Sequence, residues 1–145
     1  MFDKLEINDV MSERNTAAII IFLYMFGPQR RTEIYKAIST NPRMPKKLEI
    51  LKEHGIIKAT DGRWDAHGPI ELSDAGTTMA KMLCQMERLV GGNLAKYKWD
   101  YINRTLDEFT LKNERDKEWH ENFFHAKFDT SPKERKPTES AADNP

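Results

Sequence analysis

Cysteine is almost missing from this chain: Cys84 stands alone, so no intramolecular disulfide can form and a four-cysteine zinc site is excluded. Long hydrophobic runs are missing too. The longest, Ala17 to Phe26, is about half of the roughly 20 residues that a bilayer-spanning helix requires, and Glu13 and Arg14 precede it directly. It reads as a core helix, and no membrane partner is expected. Met1 to Glu13 carries Asp3, Lys4, Glu6 and Asp9 where a secretion signal would hold an apolar segment, so a cytoplasmic location is the expectation. A glycine-rich phosphate loop is absent, because Gly91-Gly92 lacks the lysine and the spacing that such a loop uses. His54, His67, His120 and His125 never pair at the three- or four-residue spacing of a helical zinc site. No nucleophile with a base and an orienter can be assembled by pattern either. Neither an enzyme nor a bound metal or cofactor is expected.

An excess of either charge is lacking as well: 23 lysines and arginines face 23 aspartates and glutamates. Such a balance would ordinarily argue against nucleic acid, but the charge is unevenly spread. Between Pro28 and Gly68 stand nine cations, Arg30, Arg31, Lys36, Arg43, Lys46, Lys47, Lys52, Lys58 and Arg63, against the five anions Glu33, Glu49, Glu53, Asp61 and Asp65. A local basic face on a neutral protein supplies the electrostatic part of phosphate binding. What is present otherwise is 39% hydrophobic and 32% charged residues in 145, which suits one folded, helix-rich domain with an appendage.

Along the chain, a first helix is expected from Asn15 or Thr16 to the stop at Gly27-Pro28, and its unbroken apolar sequence requires cover on several sides. A short second helix spans Arg31 to Ile38, with Thr32 as its cap and Ile34 and Ile38 on one face. Asn41-Pro42 introduces a third, whose start near Met44 relieves the strain that Pro45 would cause deeper inside. Met44, Leu48 and Leu51 are expected to face the core, while Arg43, Lys46 and Lys47 project elsewhere. Gly55 ends that helix. Ile56 to Ala59 and Pro69 to Leu72 read as two strands of a hairpin with a turn-rich tip, and Ser73 caps a fourth helix from Asp74 to about Val90.

Beyond Gly91-Gly92, the residues Ala95, Trp99, Ile102, Leu106 and Phe109 repeat with the alternating spacing of a two-heptad seam. A dimerisation arm is the expected use. An aromatic group at Trp119, Phe123, Phe124 and Phe128 offers a surface for a protein partner, and the polar, proline-bearing residues after it read as a disordered tail. The expected divisions are therefore residues 1–90, 91–128 and 129–145. The fold class is mainly α with a small β-hairpin.

Helix, tight turn, cation-bearing helix and hairpin follow one another in the order of a winged helix-turn-helix. The run from Arg31 to Ile38, then Pro42-Arg43-Met44, then Leu48 to Ile57, then Pro69 to Gly76, resembles winged-helix transcriptional regulators of the HxlR, PadR and MarR kind, with HxlR the nearest in pattern. The likeness covers about residues 16 to 88. It implies a duplex-DNA-binding regulator that dimerises through helices outside the wing, with a recognition helix at about 42–54 and a wing at about 58–70. Three departures stand out: no cysteine precedes the first helix, the turn before Met44 is one residue short, and a long aromatic extension follows. Redox sensing is therefore not carried over.

For contact with DNA the candidates are Arg43, Lys46 and Lys47 on the third helix, Asn41 before it, Arg63 and Lys58 in the wing, and Arg30 and Arg31 at the second helix. The plainer reading of the lysines is a solvated helix face. Trp64 is expected to pack back onto its hairpin, with stacking on a base or sugar as the other reading. A different class of function also fits the neutral charge and the aromatic extension: a winged-helix protein-interaction module within a transcription or chromosome assembly.

Overall fold

The computed structural model describes residues 1–128, and the side chains of residues 1–115. The expected tail over 129–145 and the side chains of Trp119, Phe123, Phe124 and Phe128 lie outside the described residues. The described chain is mainly helical with one two-stranded antiparallel hairpin. After a 3-10 turn at Phe2–Lys4 come α1 (Glu6–Met11), α2 (Thr16–Phe26), α3 (Arg31–Ala37), α4 (Met44–Glu53), β1 (Ile57–Ala59), β2 (Ile70–Leu72), α5 (Asp74–Leu89) and α6 (Leu94–Phe128). None of these helices is long and apolar enough to cross a membrane. Two compact units, Met1–Lys98 and Trp99–Pro145, divide the chain.

In the first unit α2 is the central element, packed by α5, β2, α4 and α1. Ile19, Ile20, Phe22 and Leu23 are buried, which is what an apolar helix with no polar side demands. Asn15 enters it with a left-handed φ of 77°, and its side chain makes no cap bond. The buried Thr16 hydroxyl binds the Val10 carbonyl at 2.9 Å instead, tying the start of α2 to α1. Gly27 then supplies the positive φ that ends the helix.

The N-cap of α3 is Arg30, with no side-chain bond, so Thr32 lies within the first turn and is not the cap. Ahead of α4, the Asn41 carboxamide oxygen accepts from the Arg43 amide at 2.8 Å, and Pro45 falls where a missing amide costs nothing. Met44, Leu48 and Leu51 are buried as the spacing requires. Gly55, at φ 72°, turns the chain into β1. Ile57 pairs with Leu72 and Ala59 with Ile70, while Gln29 bridges Ile70 on its other edge through bonds of 2.9 and 2.8 Å. Ser73 caps α5 by accepting from the Gly76 amide at 3.0 Å, and its own amide donates to Ile56. Gly76 is required there, since a β-carbon would overlap the Ile56 carbonyl oxygen.

Candidate nucleic-acid interface

Two groups of side chains emerge from this frame. At the front of α4 the first turn carries no acid, and the unpaired amides of a helix start add partial positive charge. Lys46 is exposed there, with no ion-pair partner among the described residues. Arg43 is also exposed, but its guanidinium reaches Glu13 at 3.0 Å. Asn41 is exposed and its carboxamide oxygen is spent on the turn into the helix. Lys47 differs from expectation: it is 5% exposed, buried beside the core residues of its own helix. Met44, Lys47, Leu48 and Leu51 stand at i, i+3, i+4 and i+7, so Lys47 belongs to the inward face by helical geometry. Its aliphatic stem suits that position, and at 5% exposure little of the side chain is left for contact with a ligand.

The second group surrounds Trp64. Its indole Nε1 donates to Glu49 of α4 at 2.8 Å, while the Arg31 guanidinium lies 4.6 Å and the Lys52 ammonium 5.3 Å from the ring centroid. Arg31 also donates to the Asp65 carbonyl. Thus Trp64 folds back, as expected, but onto α3 and α4, and so pins the hairpin tip to both helices. Asp65 accepts from the amides of His67 and Gly68, and those bonds hold its carboxyl below the usual carboxylate range. Arg30 and Arg63, each one residue from a member of this cluster, are exposed and form no ion pair among the described residues. Lys58 faces Glu71 across the hairpin at 3.6 Å.

The resulting electropositive set is narrower than sequence indicated. Among the described residues, Lys46, Arg30 and Arg63 are exposed without a carboxylate partner; Arg43 and Lys58 each share one; Arg31 is engaged with Trp64; Lys47 is inside. Lys52 was not among the expected contacts, and its proximity to Trp64 was invisible without the fold.

Away from these groups, Met82, Met86, Leu89 and Val90 are exposed along α5, with Leu89 at 84%. Of the expected seam, Ala95, Trp99, Leu106 and Phe109 are exposed and Ile102 is half-buried. Sequence spacing among histidines offered no metal pattern, yet His54 lies against Glu6 and Asp9 of α1, at 3.3 and 3.7 Å. Comparison with family models, with curated proteins and with solved structures returns no match.

Proposed function

We propose that the chain is a cytoplasmic, homodimeric winged helix-turn-helix regulator of transcription that binds duplex DNA through the front of α4 and the tip of the hairpin. The observation that carries this reading is the set Lys46, Arg30 and Arg63: exposed cations without ion pairs among the described residues, on α4, at the head of α3 and on a hairpin tip held to both. Phosphates supply the affinity at such cations, and a helix of ten residues with a charged, acid-free start suits a major groove. Dimerisation draws support from the exposed apolar residues of α5 and α6, which cost free energy while they face water. Two α4 helices on such a dimer read half-sites roughly one helical turn apart.

The test is fluorescence anisotropy with mixed-sequence duplex DNA at low and rising salt. The expected outcome is binding whose log affinity falls linearly with log salt. No binding to any duplex at low salt would overturn the proposal. The exposed residues Met82, Met86 and Leu89 of α5, with Val90 at its end, favour a second reading, a protein-interaction module in a larger assembly. A stoichiometric protein partner that survives nuclease treatment on purification from the native host selects that reading instead.

A further inference from the structure

His54 ends α4 as its C-cap, and its Nδ1 lies 2.9 Å from the Ile50 carbonyl oxygen. A carbonyl only accepts, so Nδ1 carries the hydrogen, and in the neutral ring Nε2 presents a lone pair. Two carboxylates lie close to that nitrogen. Glu6 Oε1 is 3.3 Å away and Asp9 Oδ2 is 3.7 Å away, and the three donor atoms lie within 4.8 Å of one another. Glu6 and Asp9, three residues apart, share one face of α1, so the helix itself aims both at the ring.

Two carboxylates beside one ring favour a cation there, whether a proton on Nε2 or a metal ion. The two separations from Nε2 bracket the ~3.4 Å that divides two ligands on a tetrahedral zinc ion with bonds of ~2.1 Å. The hydrogen bond from Nδ1 to a backbone carbonyl is also the support that orients metal-binding histidines. Glu6 and Asp9 have side chains 85% and 65% exposed, leaving the outer side open to water ligands, while His54 is 20% exposed and anchored.

We propose that Glu6, Asp9 and His54 form a binding site for a divalent transition-metal ion of the zinc kind, which clamps α1 to the end of α4. Imidazole with two carboxylates suits zinc better than calcium or magnesium, which favour all-oxygen sets. The clamp matters to α1 because six residues are far too few for a helix to persist unsupported.

The experiment is calorimetric titration of the full chain with zinc chloride alone, with thermal melting in parallel. Glu6→Gln, Asp9→Asn and His54→Gln are each expected to weaken binding at least about tenfold. His67→Gln and the pair His120→Gln/His125→Gln should bind as the parent does. Glu6→Gln keeps the test decisive, because a carboxylate this exposed can be neutralised without unfolding the chain. In the parent, zinc should shift the ring Nε2 resonance of His54 while Nδ1 stays protonated. Absence of zinc binding to the parent, or binding that survives Glu6→Gln and Asp9→Asn, would overturn the site.

Discussion

Neighbouring lysines on α4 should behave as opposites. Lys46 is exposed and has no carboxylate partner among the described residues, whereas Lys47 is 5% exposed and turned inward. If Arg30, Lys46 and Arg63 each neutralise one phosphate, a dimer engages about six, and the slope of log affinity against log salt is about −5.4. Raising salt from about 50 to 200 mM then weakens binding roughly a thousandfold. Lys46→Ala removes two of those contacts per dimer and should flatten the slope to about −3.6. Lys47→Ala should leave the slope where it was and cost about 1–2 kcal/mol of folding stability, because a packed stem is lost. Anisotropy titrations at four or five salt concentrations, with urea melts of each variant, separate the two effects. A slope that flattens for Lys47→Ala and not for Lys46→Ala would refute the assignment of faces on α4.

Gly76→Ala should destabilise the first unit by about 2 kcal/mol or more, since the added methyl displaces the Ile56 carbonyl that also receives the Ser73 amide. A melting temperature lowered by roughly 10 °C or more checks this. Because the Asp65 carboxyl is held below its ordinary range in the folded tip, its stabilising effect is complete above the unfolded value of about 3.9 and is lost as pH falls through the lower folded one. Protection of the His67 and Gly68 amides, measured relative to their intrinsic exchange rates, should therefore fall below about pH 4 in the parent, and should be lost at all pH values in Asp65→Ala. Leu106→Glu and Met86→Glu place charge on exposed apolar positions and should each weaken self-association at least about tenfold by sedimentation equilibrium. Unchanged self-association in both variants would remove α5 and α6 from the interface.

The parts legible in sequence are those written in local signals. Gly27-Pro28 stops α2, Ser73 caps α5, and β-branched residues on either side of a turn-rich stretch make the hairpin. Lys47 was legible in principle. Its spacing from Met44 and Leu51 puts it inward, against the surface position that its charge alone suggests. Other features had no local signal. Helix α1 has Leu5 at its N-cap and no side-chain cap bond, so it is held by contact with α2 and α4. The meeting of Trp64 with Glu49, Arg31 and Lys52, and of His54 with Glu6 and Asp9, joins residues far apart in the chain. Spacing rules do not reach across such distances.

The most direct test of the DNA-binding account is to map which surface meets a duplex. Amide and side-chain NMR shifts of labelled protein should change on addition of DNA at Asn41 to Lys46, at Arg30 and around Arg63. They should stay still along Met82 to Val90. Shifts confined to the exposed apolar residues of α5, or none at all at saturating DNA, would contradict it.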